Sequence, residues 1–267
     1  MPPTVLAHRL DAAVRGALGD VVGALAAPRR SVEGCAGAFA ALGDAARAGG
    51  RQLAREDLGG LAPRLRADLA RLPAVVDGLG VVTQPGLVAG ERLWLEWWRR
   101  GVRGELERLE VTFDPDHPAD FDYPDTEWFR VPRDHARPWI AGPFVDRGGT
   151  NRHVCTLSVP VRDAEGAFLG IAGADLRVGH LERLARRVLP ATEHCALLVT
   201  REGRVLASDD PRWPAGSLLE AAAAALLRED PDAGAELRRR GGAVAWDGTL
   251  PWGVAVLPRA VLSAPAR

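Results

Sequence analysis

Asp146 and Asp175, with the rings of Trp128, Phe129 and Phe144, are the side chains of this 267-residue sequence best suited to hold a cation. Two carboxylates on one ammonium group would each give a charge-assisted hydrogen bond worth about 1.5–3 kcal/mol. Aromatic faces would add roughly 0.5–2 kcal/mol, depending on how far water is excluded. Tyr123, the only tyrosine, could bring a hydroxyl to the same place. It sits in an acidic stretch, residues 113–127, that holds Asp114, Asp116, Asp120, Asp122, Asp125 and Glu127 and no arginine. Such a field concentrates cations near its mouth. Each residue also has a structural role open to it. Asp175 could cap a helix starting near Val178, Asp146 could brace the Arg147-Gly148-Gly149 turn, and Trp128 and Phe129 could be core aromatics. Their joint order along the chain, rather than any one of them, favours the ligand role.

Other chemistry is weaker. The Asp114-x-Asp116 pair with Asp120 and Asp122 offers oxygens to calcium, but the twelve-residue loop pattern fails for want of a central glycine, so a solvated loop and no metal are expected. His153 and Cys155 share a strand face with Leu157, Val159 and Val161, which points the thiol at the core rather than at a substrate. Trp94, Trp97 and Trp98 lack the basic groove that a base-stacking platform needs, and are expected to pack a sheet against the N-terminal helices. Arg238-Arg239-Arg240 suits a helix C-terminus. No dinucleotide, phosphate-loop, zinc-protease or serine-hydrolase motif occurs, so no cofactor and no catalytic residue is expected.

These residues must be positioned by elements readable from periodicity. Leu6, Leu10, Val14, Leu18, Val21 and Leu25 make an amphipathic helix over 4–27. A second helix is expected from Ser31 through Val32, Cys35, Phe39 and Leu42 to Gly49-Gly50, and a third over 61–72. The period then turns to strand: 75–82, the aromatic run 93–98, and the alternation of Leu109, Val111 and Phe113. Residues 113–129 read as loop with at most a short helix. Strands 139–146, 153–161 and 168–175 follow, then a helix over 178–189. A hairpin of 196–200 with 205–209, a helix over 218–227 and a hairpin of 243–246 with 252–257 complete the chain. The class is α+β.

Composition narrows the partners. The net charge of −1 gives no reason to expect nucleic acid or an anionic membrane. All 34 basic residues are arginine, a bias of composition rather than a signal of function. Cys35, Cys155 and Cys195 stand far apart, which suits a reducing compartment. With no secretory leader and no run of 18 apolar residues, the expected setting is cytoplasmic and without a membrane anchor.

The stretches YPDTEWF (123–129), PWIAGPFVD (138–146) and TLSVPVRDAEGAFLGIAGADL (156–176) resemble double-Cache sensor domains, in which a long N-terminal helix precedes a PAS-like sheet. LLVTREGRVLASDDPRWPAGSLL (197–219) and GGAVAWDGTLPWGVAVL (241–257) resemble the smaller second module. The resemblance implies an N-terminal helical segment over 1–73, a ligand-binding module over 74–190 and a second module over 191–267. It covers most of the chain after about residue 75 and lacks output and transmembrane segments. Among double-Cache domains it is similar to the subgroup that binds amines or amino acids, whose matching positions are Trp128, Phe129, Phe144, Asp146 and Asp175. Phe129 and Phe144 replace the usual tyrosines, and Thr126 stands where the amino-acid binders carry an arginine for the ligand carboxylate. The expectation is a non-enzymatic protein that grips the ammonium group of a small amine or amino acid through Tyr123, Asp125, Trp128, Phe129, Phe144, Asp146 and Asp175. It would signal through a separate partner or a homodimer. A small enzyme of amine metabolism, or a protein-interaction module without a small ligand, are the alternatives.

Overall fold

Pro28 does not end the first helix. In the computed structural model, which describes residues 3–117 and 120–262, a single helix α1 runs Pro3–Ala48 with Pro28 inside it. The two helices expected on either side of Pro28 are therefore one. An interior proline removes a hydrogen bond and costs about 3 kcal/mol. The burial pattern shows what offsets it: Val14, Leu18, Val21, Leu25, Pro28, Val32, Cys35 and Phe39 are all buried and step by four and three residues in turn. Pro28 falls in register on this stripe, so breaking the helix there would take half of the stripe out of its contacts. Leu6 has a side chain outside the described residues.

The chain divides into two compact units, one of residues 26–177 and one of 1–25 with 178–267. The expected boundaries stand at 73 and 190. Helix α5 (Val178–Val188) buries Val178, Leu181 and Ala185 and packs on β8 of the second unit, so it groups with the C-terminal strands.

In the larger unit, the short helix α2 (Arg55–Gly59) and α3 (Ala62–Arg71) precede β1 (Val76–Thr83), β2 (Leu95–Arg100) and β3 (Leu106–Arg108). Helix α4 (Glu127–His135) then leads to β4 (Trp139–Val145), β5 (His153–Arg162) and β6 (Phe168–Arg177). These six strands form one antiparallel sheet in the order β3-β2-β1-β6-β5-β4. The strand expected at residues 109–113 lies earlier, at 106–108. Beyond it the described backbone makes a bridge from Thr112 to Asp120.

The smaller unit carries a four-stranded antiparallel sheet in the order β8-β7-β10-β9, from β7 (Cys195–Thr200), β8 (Val205–Ser208), β9 (Ala243–Trp246) and β10 (Trp252–Leu257). Helices α6 (Ala221–Ala225) and α7 (Pro231–Arg239) lie between its hairpins. Its core joins Cys195, Leu197 and Val199 to Trp213, Leu219 and Leu237. Asp230 caps α7 by accepting from the Ala233 amide at 2.7 Å.

Candidate functional site

Strand pleating lays out one face of the large sheet in rows. Arg99, Gly78, Asp175 and Thr156 are cross-strand neighbours from β2 to β5, and the next row is Trp97, Gly80, Gly173 and Ser158. The third row begins Leu95, Val82, Ile171. Two glycines follow Trp97 across the sheet, and the indole lies over them. A Cβ on Gly80 would fall 2.7 Å from Trp97 Cε3, and one on Gly173 would fall 3.3 Å from Cη2. Glycine in a strand interior is unfavourable in itself and here marks close approach by a ring.

Above this floor is a cavity lined by Val82, Leu95, Trp97, Leu109, Phe121, Trp128, Asp146, Thr156 and Asp175. It leaves the centre of a water-sized sphere about 20 Å³ in which to move, enough for a water or two. Helix α4 delivers Trp128, which stacks on Phe121 at 6.3 Å and packs edge-on to Phe129 at 6.1 Å. The end of β4 delivers Asp146, and β6 delivers Asp175.

The two carboxylates are held differently. Asp146 Oδ2 accepts from the Thr150 amide at 2.6 Å and from the Thr150 hydroxyl at 2.8 Å. Its turn-bracing role is thus real and coexists with its place in the cavity wall. Asp175 is 5% exposed, and its Oδ1 accepts from the Thr156 hydroxyl at 2.7 Å. Burial pushes its carboxyl up to about 8, with the charges of Asp146 and Asp77 adding to the effect and the Thr156 hydroxyl and Arg152 opposing it. Among the described residues the side chain of Asp175 caps no helix, and its hydrogen-bond partner is the Thr156 hydroxyl.

Of the seven residues expected in the site, Trp128, Asp146 and Asp175 converge on the cavity. The other four stand elsewhere. Tyr123 is fully buried, and its hydroxyl donates to the Thr83 carbonyl at 2.7 Å while accepting from the Trp94 amide at 3.2 Å. That hydroxyl is spent on pinning the acidic stretch to β1. Phe129 is a core ring between Tyr123 and Phe168. Phe144, half-buried, packs on the same aromatic cluster without lining the cavity. Asp125 is exposed and outside the wall. Its stretch is less acidic in effect than in sequence, because Arg92 approaches both Asp120 and Asp122 at 3.3 Å.

Trp97 and Thr156 belong to the wall without having been expected there. The signal for Trp97 lies in the sequence as glycines at 78, 80 and 173, in strands otherwise rich in valine and alanine. Its neighbour Trp98 does face the helices, under the Arg66 guanidinium of α3, and Trp94 is flanked by Arg55 and Arg108. Cys155 is fully buried, which pushes its thiol up, whereas His153 is exposed, so they form no dyad. Among the described residues no group of three His, Cys, Asp or Glu side chains is placed to hold a metal. No helix among them is long and apolar enough to cross a membrane.

Residues 105–183 match the family model of the methyl-accepting chemotaxis protein-like first PDC sensor domain. No curated protein matches the chain. Among solved structures, the extracellular domain of a protein described as a histidine kinase, soHK1S-Z6, superposes with a TM-score of 0.64 at 17% identity, covering 96% of this chain and 95% of its own. The ligand-binding domain of the Pseudomonas fluorescens chemoreceptor CtaA, solved with L-valine, gives 0.60 at 14%, with 96% and 98% covered. That of the Pseudomonas aeruginosa PAO1 amino acid chemoreceptor PctC, solved with GABA, gives 0.52 at 18%, with 95% and 98% covered. The chain thus has the fold of these chemoreceptor and histidine-kinase sensor domains. The cytoplasmic expectation finds no support among these neighbours, one of which is an extracellular domain.

Proposed function

We propose that the larger unit senses a small organic cation, an amine without an α-carboxylate, whose ammonium group sits between Asp175 and Asp146 against Trp128. One observation carries this reading: two carboxylates and a tryptophan meet in a cavity whose wall, among the described residues, contains no arginine or histidine. An ammonium group there gains charge-assisted hydrogen bonds and a ring face. An amino acid's carboxylate would be buried beside two others with no counter-charge, which costs several kcal/mol. CtaA and PctC are described with amino acids. The wall here favours their ammonium end and offers nothing for the acid end.

Binding would be coupled to protons. The empty site holds Asp175 protonated at pH 7, whereas a bound cation favours its ionised form. Affinity therefore rises with pH until the carboxyl of the empty site is itself ionised, near pH 8, and levels off above it while the amine stays charged.

A thermal-shift screen of monoamines, diamines and amino acids tests the proposal. Ligand at a hundredfold its dissociation constant stabilises by about 2.7 kcal/mol, a rise of roughly 5–10 °C for a unit of this size. Amines should raise the midpoint, the matching α-amino acids should not, and Asp175→Ala and Asp146→Ala should abolish the rise. No rise with any amine would overturn the reading.

A further inference from the structure

Trp97 carries a hydrogen-bond donor that the fold leaves unused. Its ring is 4% exposed and its Nε1 is buried without an acceptor. A buried N–H left unpaired costs about 1–3 kcal/mol and calls for an explanation. Trp94 and Trp252 also have unpaired indole nitrogens, but neither lines the cavity that holds Asp146 and Asp175.

The ring cannot easily turn to find an acceptor. It lies across Gly80 and Gly173, and its Nε1 is directed toward the row of Asp175. A Cβ built on Gly78 would fall 2.5 Å from Trp97 Nε1 and 3.4 Å from Asp175 Oδ2. The unused donor and the oxygen of Asp175 that Thr156 does not occupy thus flank one point above the sheet. An ammonium group on Asp175 brings only donors of its own and leaves the indole N–H unsatisfied. A ligand with an acceptor atom about two carbons from its nitrogen satisfies both.

We infer that the ligand is an amine bearing a neutral hydrogen-bond acceptor close to its ammonium group, as in a β-amino alcohol or amino ether, and that Trp97 Nε1–H donates to that acceptor. The inference rests on the proposed cation site. The acceptor must be neutral, because a carboxylate there would face Asp146 and Asp175 with no cation in the wall. The three glycines are then a specificity device: they let the indole lie low enough for its N–H to reach the level of the carboxylate.

Ethanolamine and propylamine, equal in heavy-atom number and charge, separate the inference from its premise. Both should be titrated into ¹⁵N-labelled protein and into Trp97→Phe, following the thermal midpoint, the dissociation constant and the Trp97 indole N–H resonance. The native protein should bind ethanolamine about tenfold more tightly, with the indole resonance moving downfield. In Trp97→Phe the two amines should bind alike. Equal binding of both by the native protein, with the indole resonance unmoved, overturns the inference while leaving the cation site standing. Failure of both amines to bind removes the site and the inference together. The native indole signal decides the matter even if Trp97→Phe does not fold.

Discussion

Two buried aspartates lie on adjacent strands of the large sheet, and the structure treats them in opposite ways. Asp77 on β1 is the extra residue of a bulge, where Val76 and Gly78 span the gap opposite Leu176 and Asp175. Its carboxylate meets the Arg152 guanidinium at 2.6 Å and that of Arg177 at 2.7 Å. Arg152 also donates to the Arg100 carbonyl, while Arg100 donates to the Leu72 carbonyl at the end of α3. Asp175 on β6 meets the Thr156 hydroxyl and lines the cavity beside Trp128. A buried carboxylate clamped by two arginines ties strands together, whereas a buried carboxyl without such a clamp is pushed toward its protonated form at a cost to the fold. That difference separates scaffold from site more clearly than burial does, since both residues are equally hidden. Asp210 in the smaller unit repeats the scaffold pattern: Arg212 and Arg259 clamp it and hold its carboxyl well below the usual range.

Substitutions should break the symmetry in opposite directions. Asp77→Ala strands the partly buried Arg152 and should have the largest effect, a loss of about 3 kcal/mol in chemical denaturation. The figure is reduced by hydration of Arg177, whose side chain is 38% exposed. Gly80→Ala comes next. Its Cβ would meet the Glu96 carbonyl as well as the Trp97 ring, so a cost of about 2 kcal/mol is expected, together with weaker amine binding.

Asp175→Asn should do the reverse and stabilise the ligand-free protein at pH 7. The sign follows from the raised carboxyl. Below about pH 4 the aspartate is protonated whether the chain is folded or not, so the substitution changes little. Between pH 4 and pH 8 the unfolded chain ionises this residue and the folded one does not, so the native protein loses stability as pH rises and the variant does not. Melting curves of both proteins from pH 4 to pH 8 should diverge steadily. Parallel curves would show that Asp175 is compensated after all. Tyr123→Phe should have the smallest effect, at most about 1 kcal/mol from the lost hydroxyl contacts, with amine affinity unchanged. A large loss of affinity would return Tyr123 to the binding site.

Much of this architecture is legible in the sequence. The strands from Trp139 to Arg177 and both hairpins of the smaller unit show as short apolar runs ended by glycine turns, and several of them, such as β6, β7 and β10, are buried on both faces, so run length rather than alternation marks them. Helix α1 escapes such a reading at Pro28, where the local breaking tendency of proline is weaker than a stripe that persists on both sides of it. Order along the chain locates Trp128, Asp146 and Asp175. It fails for Tyr123 and Phe129, because aromatic and hydroxyl groups serve a core as readily as a ligand and only contacts distinguish the two. Trp97 is hidden from linear reading because its role depends on glycines one and two strands away, a relation that register reveals and spacing does not.

On the proposed reading Asp175 is protonated until a cation binds, and the cation takes the proton's place. That reading is tested most directly by titration calorimetry of the tightest-binding amine at pH 7, in two buffers of different ionisation enthalpy. The expected result is a net release of protons on binding at pH 7 that shrinks as pH rises toward 9. Binding at pH 7 with no net proton release would contradict it.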